Sequence, residues 1–278
     1  MSDVNAAPAW ALQARQTLQG APLQPRIPFL VDGHVVGSLL EHFLLETGLP
    51  GRLAEGVLLI KREHAGQAVW VLEYERGDAT AALNHLAKAL HEAGRSGAWR
   101  SEQLLVRSAE GHIVGTVERG AVRPLGIATQ AVHLVGLAPQ GDGWVQQRSA
   151  RKDSYPNRWD TLMGGMVSAS DTLEQALARE TWEEAGLRVA ELQALHWGGV
   201  LRFRQPATDG DREGRGLSYM HEDIHWYRCT VPEGLVPDNQ DGEVQQFACW
   251  PRDRLLEQLA ADAFTPEATL VWAGHFGW

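Results

Sequence analysis

The feature that most constrains this chain is a short acidic segment at residues 178–187, with the sequence ARETWEEAGL. Glu180, Glu183 and Glu184 stand within five consecutive residues of it. The surrounding residues favour a helix, and Gly186 is expected to end it, because glycine adopts the left-handed conformation after a helix at little cost. The chain must therefore accommodate a helix that carries three closely spaced negative charges.

At about 100° per residue, the three carboxylates share one face of this helix. Glu180 and Glu184 form a like-charge pair four residues apart, which is destabilising by roughly 0.2–0.5 kcal/mol unless a positive group lies between them. We expect Ala178, Trp182 and Ala185 to point the other way and to pack into a core. The charged face is then either an ordinary solvated surface or a socket for a hard cation such as Mg²⁺ or Mn²⁺, which prefers carboxylate oxygens.

The residues that precede the acidic segment extend the pattern. Residues 171–174, with the sequence DTLE, fit a capping box in which Asp171 is the N-cap and Glu174 reaches back, so the helix is expected to begin there. With the spacing between its residues, the stretch from Gly165 to Leu187 has the pattern Gly165-x5-Asp171-x7-Arg179-Glu180-Thr181-x-Glu183-Glu184-x-Gly186-Leu187.

This stretch resembles the signature of the Nudix hydrolases, Gly-x5-Glu-x7-Arg-Glu-U-x-Glu-Glu-x-Gly-U, where U is aliphatic. Asp171 replaces the first glutamate of that signature, and Thr181 replaces an aliphatic residue. The resemblance implies an α/β fold, namely an α/β/α sandwich with a mixed sheet. It also implies that the loop, the helix and the following loop together bind divalent cations.

Carried over to this chain, the resemblance implies that Glu180, Glu183 and Glu184 are metal ligands, with Mg²⁺ or Mn²⁺ as the cofactor. Arg179 would orient a glutamate through a salt bridge. The ions would polarise phosphoryl oxygens and lower the pKa of bound water, so that water displaces a group at a diphosphate phosphorus. The proton acceptor would be Glu183 or a carboxylate from a distant loop.

A second acidic segment, residues 238–244, lies between two predicted strands nearer the C-terminus. Members of the family often supply a further acid from a loop in this part of the chain. Glu243 is the candidate catalytic or metal-binding residue here, ahead of Asp241. The alternative is an acidic turn that is only solvated.

A narrower resemblance covers most of the chain. The segments GIATQAVHLVGL and LVPDNQDGEVQQF look like the Nudix subgroup related to the domain fused to fungal thiamine pyrophosphokinases. In that subgroup a separate N-terminal α/β domain precedes the Nudix fold. The resemblance implies hydrolysis of a small-molecule or nucleoside diphosphate derivative to a monophosphate, with thiamine diphosphate or its damaged analogues as candidate substrates.

The loop between these segments supplies the candidate substrate-binding residues. Arg148, Arg151 and Lys152 are candidate phosphate ligands in an otherwise acidic chain, although loop cations also serve solubility alone. Gly164 and Gly165 begin the Nudix-like stretch and complete the candidate substrate-binding set.

The order of predicted elements divides the chain. Helical spacing occurs at residues 38–45 and 79–93, strands are predicted at 57–60 and 70–74, and hairpins turn at Asp32-Gly33 and Glu110-Gly111. A change of character at residues 119–126 predicts a boundary. We therefore expect a smaller N-terminal α/β domain at residues 1–124 and a Nudix domain at residues 125–278. The first domain would shape the pocket or mediate a homodimer.

Charge and cysteine content exclude several classes of partner. A formal charge of −10, from 35 acidic and 25 basic residues, gives no attraction for nucleic acid or an anionic membrane. The two cysteines are too few for a disulfide framework or a four-cysteine zinc site. With no signal-like segment and no apolar run of roughly 18 residues, a cytoplasmic protein is expected.

Other readings of the chain are weaker. The segment 221–225, HEDIH, matches the zinc-protease signature, but its surroundings predict a strand, in which residues four apart lie about 13 Å from each other. An isopentenyl-diphosphate isomerase would need a cysteine upstream of the acidic segment, whereas Cys229 and Cys249 both follow it. A binding or sensor module that keeps the Nudix fold without turnover remains the alternative to an enzyme.

Overall fold

The computed structural model describes residues 6–17, 19–54, 56–152, 154–211 and 214–278. The first half of the chain contains α1 (Ala9–Thr17), β1 (Arg26–Val31), β2 (His34–Leu40), α2 (Phe43–Thr47), β3 (Arg52–Ala54), β4 (Val57–His64), β5 (Gln67–Tyr74), α3 (Ala79–Glu92), β6 (Gln103–Arg107) and β7 (Ile113–Glu118).

After a short 3₁₀ turn (Arg119–Ala121), the second half contains β8 (Ala128–Leu137), β9 (Gly143–Arg148), β10 (Trp159–Asp160), β11 (Met163–Met166), α4 (Leu173–Ala185), β12 (Gln193–Ala207), β13 (Ser218–Thr230), β14 (Val244–Trp250), α5 (Arg252–Ala260) and α6 (Pro266–His275). Within the described ranges, no helix combines the length and the apolar character needed to cross a bilayer.

The N-terminal region is built on a five-stranded sheet with the strand order β2-β1-β5-β4-β3. Strands β1 and β5 run parallel, and the other neighbouring strands are antiparallel. Strands β6 and β7 form a separate hairpin, as the sequence predicts. The apolar face of α3 completes the core, where Leu83 and Leu86 are fully buried beside Phe29 and Leu72.

The helix predicted at residues 38–45 is only partly present. Ser38 and Leu39 belong to β2 and pair with β1, and the helix begins at Phe43. A short apolar run fits a buried strand as well as a helix, and in this case pairing with β1 decides the outcome.

The second half of the chain forms a seven-stranded sheet. Its main path is β10-β9-β8-β13-β12, while β11 pairs with β8 and β14 pairs with β9. Strand β13 runs parallel to β8, whereas β12 and β13 are antiparallel. The sheet is therefore mixed.

Side chains of β8 show how the layers are arranged. Ala131 and Val135 pack in the cluster that contains residues of α5 and α6, whereas Val132 and Leu134 pack in the cluster that contains residues of α4. Because successive residues of a strand point to opposite faces, the helices cover both faces of the sheet. The predicted α/β/α sandwich with a mixed sheet, preceded by a smaller α/β region, is confirmed.

In the described part of the chain, helix α1 packs on the C-terminal helices and not on the N-terminal sheet. Ala11 is fully buried in a cluster with Ala273 and Trp278, and the ring of Trp10 meets that of Trp278 edge to face at 5.5 Å. The beginning of the described chain thus packs on the C-terminal helix α6. The division of the chain near residue 124 remains a proposal. If the chain is divided there, α1 belongs to the first part by sequence but packs on the second.

Candidate active site

Helix α4 begins one residue later than the sequence indicates. Thr172 is the N-cap, since its hydroxyl accepts a hydrogen bond from the Gln175 amide at 3.2 Å and Gln175 Oε1 accepts one from the Thr172 amide at 2.8 Å. The assignment of Asp171 as N-cap with Glu174 is therefore wrong. Helix α4 ends at Ala185, and Gly186 follows with φ of 62°, as predicted.

The acidic face of α4 is turned toward the sheet. Glu184 is only 2% exposed and Thr181 is fully buried, whereas Ala178 is exposed and Trp182 is 45% exposed. The expectation that Ala178 and Trp182 pack into the core is wrong, although Ala185 is buried as expected. Glu184 is buried because polar partners from the sheet receive it, so an ordinary solvated surface does not describe this part of the helix.

Arg179 links three acidic side chains. Its Nη1 donates to Glu180 Oε1 at 2.9 Å and to Glu183 Oε2 at 3.0 Å, and its Nε donates to Asp171 Oδ2 at 2.9 Å. One guanidinium group therefore positions two of the predicted metal ligands. Asp171, which the sequence indicated as a cap, instead fixes the orientation of this arginine.

Glu184 lies at the centre of the site. Its Oε2 accepts hydrogen bonds from the Gly164 amide at 3.0 Å and from Gln146 Nε2 at 2.8 Å. Its Oε1 lies 4.0 Å from Lys152 Nζ. Despite these partners, burial raises the pKa of Glu184.

Two glycines allow the strand β11 to approach these side chains. A Cβ atom on Gly165 would lie 2.1 Å from Glu180 Cδ, and one on Gly164 would lie 2.6 Å from the ring of His133. A larger residue at either position would therefore displace the Glu180 carboxylate or the His133 ring. The sequence placed Gly164 and Gly165 in the substrate-binding set, and both also line the adjacent cavity.

The chemistry of these donors fits a hard divalent cation. Burial, and next the charge of Glu184, raises the pKa of Glu180 to about 7. A cation between the two carboxylates would remove this penalty, and their oxygen atoms are the ligands that Mg²⁺ and Mn²⁺ prefer. Side-chain geometry places Glu183 further out, at 42% exposure, where Arg179 holds it.

The carboxylate oxygens of Glu180, Glu183 and Glu184 do not all lie within 4.8 Å of one another. Within the described part of the chain, one group of His, Cys, Asp or Glu residues has three ligand atoms within 4.8 Å of one another, and it comprises His34, Glu110 and His112. That group lies on two hairpin turns of the N-terminal region. Glu180 and Glu184 are thus the inner pair of the candidate site, with Glu183 beside them.

Glu243 is brought to the site by Lys152. The Lys152 ammonium group contacts the Glu243 carboxylate and lies near Glu184, so one cation connects the loop before β14 with helix α4. A hydrogen bond of 2.8 Å from the Ser149 amide to the Glu243 carbonyl fixes this loop. The two acidic segments of the sequence therefore meet, although the role of Glu243 remains a prediction.

The predicted phosphate-binding cations divide into two groups. Arg148 and Lys152 line a cavity beside Glu184. Arg148 donates to the Ser154 carbonyl at 3.0 Å and lies 3.4 Å from Asp160 Oδ2. Arg151 is exposed beside Gly242, and it is not one of the described residues that line this cavity.

The sequence reasoning missed several buried polar residues of the site. Gln146 donates a hydrogen bond to Glu184, and His133, in the mainly apolar strand β8, contacts Thr161 Oγ1 at 3.0 Å. Asp160 is 3% exposed, and Glu222 is 5% exposed. Each is a polar residue at a buried position of a strand. A polar residue at a strand position where an apolar one is expected is the signal that could have identified them.

The zinc-protease-like segment lies in β13, so its assignment as a strand is confirmed. His221 Nε2 is 3.2 Å from Arg204 Nη2, and His225 Nε2 is 3.2 Å from Gln130 Nε2. Both histidines are thus engaged with other partners, and the helical geometry that a zinc protease needs is not formed in this segment.

A comparison with family models decides the relationship. The model described as "NUDIX domain" matches residues 128–270, which is just over half of the chain. The chain belongs to the NUDIX family. The match covers the seven-stranded sheet and α4, and it therefore confirms the family resemblance read from the acidic segment.

The chain is also similar to plant Nudix hydrolases and to a solved bacterial structure. Nudix hydrolase 24, chloroplastic, of Arabidopsis thaliana is 28% identical over 81% of this chain and 60% of that protein. Nudix hydrolase 20, chloroplastic, of the same plant is 30% identical over 86% and 63%. A crystal structure of a Deinococcus radiodurans protein aligns with a TM-score of 0.47 and 22% identity over 62% of this chain and 98% of that one. The chain thus spans about three fifths of the plant relatives' length.

Proposed function

We propose that this NUDIX protein hydrolyses the diphosphate bond of a small-molecule or nucleoside diphosphate derivative in a reaction that requires Mg²⁺ or Mn²⁺. The observation that carries the proposal is the placement of the buried Glu184 and the largely buried Glu180 on one face of α4, beside a cavity lined by Arg148 and Lys152. An acidic pair next to a cationic pair fits a metal-bound diphosphate, because the carboxylates would offset the charge of the cation and the basic side chains that of the phosphates.

Each residue has a proposed task. Glu180, Glu183 and Glu184 would hold the cation, which when bound polarises phosphoryl oxygens and activates water. Arg179 positions Glu180 and Glu183 through the two hydrogen bonds from its Nη1. The ionised carboxylate of Glu183 would accept the proton of the attacking water.

Glu243 is the competing proton acceptor. Its side chain is 43% exposed and its carboxylate contacts Lys152, so it has access both to solvent and to the group proposed to bind phosphate. Glu183 is equally accessible and is paired with Arg179. Comparing turnover of Glu183→Gln and Glu243→Gln at saturating Mg²⁺ decides between them, because the acceptor variant loses kcat over the whole pH range.

Thiamine diphosphate and its damaged analogues are the first substrates to test, following the narrower resemblance in sequence. The partner is then a small molecule, and a net charge of −10 disfavours a nucleic acid. Purified protein with Mg²⁺ or Mn²⁺ is assayed against thiamine diphosphate, ADP-ribose, NADH and nucleoside triphosphates. Release of a monophosphate product supports the proposal, whereas binding without any product would favour a non-catalytic NUDIX-fold module.

A further inference from the structure

A cavity of about 490 Å³ lies between the N-terminal region and the NUDIX domain. Its N-terminal wall includes Ala98 and Arg119, and its NUDIX wall includes Met166 and Asp209. Ligand sites that hold a small molecule commonly have a volume of about 300–1,000 Å³. The cavity is therefore large enough for a ring-bearing organic group.

This cavity adjoins the one beside the carboxylates. Arg119, Arg123 and Met166 line both, and the second cavity extends to Lys152 and Gly165. A diphosphate held near Glu184 would therefore direct the rest of its molecule toward the N-terminal region.

The rim between the two regions is held in place by direct contacts. Arg123 Nη1 lies 2.8 Å from Asp209 Oδ2 across the two regions, and within the N-terminal region the Gly97 amide donates to the Gly120 carbonyl at 2.8 Å. A Cβ atom on Gly210 would lie only 2.4 Å from the carbonyl carbon of Arg95, so the loop after β12 packs closely on the segment after α3. The cavity is thus preformed between packed segments.

Its lining is about half apolar and half polar. Val122 and Met166 contribute apolar surface, and Arg119, Arg123, Asp209 and His91 contribute charged or hydrogen-bonding groups. A hydrocarbon chain would take these groups out of water without replacing their hydrogen bonds, which is unfavourable. A ring with donors and acceptors would replace them.

We propose that this cavity binds the organic group of the diphosphate substrate, that residues 91–100 of the N-terminal region form its outer wall, and that the group is a polar heterocycle instead of a hydrocarbon chain. The proposal rests on the proposed hydrolysis for the position of the diphosphate. It gives a role in substrate selection to the N-terminal region, and this region lies outside the family match at residues 128–270.

The test fills the cavity from its N-terminal wall. Ala98 is exposed and lines the cavity, so Ala98→Trp would occupy the space of the organic group without touching the glutamates. Ala109→Trp is the matched control, because Ala109 is also an exposed alanine of the N-terminal region and lies on the β6–β7 turn. The probes are thiamine diphosphate and ADP, which carry polar heterocycles, and isopentenyl diphosphate, which carries a hydrocarbon.

Calorimetry with Mg²⁺ and the non-hydrolysable methylene-bridged analogue of each probe gives the Kd independently of turnover. We expect at least one heterocyclic probe to bind the unaltered protein at least about tenfold more tightly than isopentenyl diphosphate, a difference of about 1.4 kcal/mol. Ala98→Trp should raise the Kd of that probe at least about tenfold, whereas Ala109→Trp should leave it unchanged within about twofold.

The outcomes separate the two proposals. Tight binding that Ala98→Trp weakens, without product release by the unaltered protein, would support the cavity and contradict the hydrolase. Hydrolysis of a heterocyclic diphosphate that Ala98→Trp and Ala109→Trp affect equally would overturn the cavity assignment alone. Preferred binding of isopentenyl diphosphate, or no binding of either heterocyclic probe, would also overturn it.

Discussion

Glu184 is a buried carboxylate that is hydrogen-bonded and lies near a cation. It is 2% exposed, yet it keeps two hydrogen bonds and lies 4.0 Å from an ammonium group. A glutamine would fill the same space and could retain the bond from Gly164, but it would lack the charge. The difference between the two side chains therefore isolates the electrostatic contribution of this position.

Glu184→Gln is expected to lower turnover at least about 100-fold, which corresponds to about 2.7 kcal/mol of transition-state stabilisation, while the protein remains folded. The reason is the loss of one negative ligand from the proposed cation site. Steady-state kinetics with Mg²⁺ measures the effect, and circular dichroism checks the fold. Glu174→Gln, at an exposed position in the first turn of the same helix, is the control, and near-normal activity of Glu184→Gln would contradict the metal assignment.

Gly165→Ala tests the close approach of β11 to Glu180. The added methyl group would lie 2.1 Å from Glu180 Cδ, so the carboxylate has to move. We expect kcat to fall at least about tenfold and stability to fall by about 1–3 kcal/mol from overpacking. Gly20→Ala is the matched control, since its nearest neighbour would lie 3.4 Å away. Equal kinetics of the two variants would show that the position of Glu180 is unimportant.

At the scale of elements, the sequence predicts strands and hairpins well because alternation and turn residues are local signals. The hairpin at Asp32-Gly33 and the end of α4 at Gly186 are both confirmed. The orientation of α4 was not predictable in the same way. Trp182 is the most apolar side chain near the glutamates, yet it is exposed beneath Arg188 because the polar partners of Glu184 come from β9 and β11.

The two residues at the start of α4 are expected to differ in their effects. Thr172→Ala should lower the free energy of unfolding by about 1 kcal/mol, because the Gln175 amide loses its cap. Asp171→Ala should lower kcat more than stability, because Arg179 loses a partner at 2.9 Å. Denaturant unfolding and steady-state kinetics of both variants measure this contrast, and a larger stability loss in Asp171→Ala would restore Asp171 as the cap.

Glu267, in the first turn of α6, gives the fold a dependence on pH. Burial, and next the charge of Glu222, raises the pKa of Glu267 from 4.5 to about 7. The folded protein thus binds more protons than the unfolded chain between these values, so stability should fall by about 1–3 kcal/mol as pH rises from 4.5 to 7. Urea unfolding at several pH values in this range measures the free energy of unfolding. Its decrease with pH should be smaller for Glu267→Gln than for the exposed control Glu257→Gln. Equal slopes would contradict the burial of a neutral Glu267.

At the scale of the whole molecule, the candidate site is assembled from distant parts of the chain. Lys152 joins Glu184 to Glu243, and the cavity beside them adjoins a second one that is lined by residues 91–100. The spacing of the acidic segment was sufficient to predict the family and the inner carboxylates. It could not predict the contact of α1 with α6 or which N-terminal residues line the second cavity, because such contacts depend on side-chain packing between elements that have no shared pattern.

Metal removal tests the assembled site. We expect chelation to abolish turnover and added Mg²⁺ or Mn²⁺ to restore it better than Zn²⁺, because the proposed ligands are all carboxylate oxygens. The cation should also raise Tm, since it binds the folded state and relieves repulsion between Glu180 and Glu184. This increase should be absent from Glu180→Gln/Glu184→Gln and present in Glu174→Gln. If Zn²⁺ alone restored the full rate, or if the double variant kept the increase in Tm, the cation would bind elsewhere, and the buried acidic face of α4 would need a different explanation.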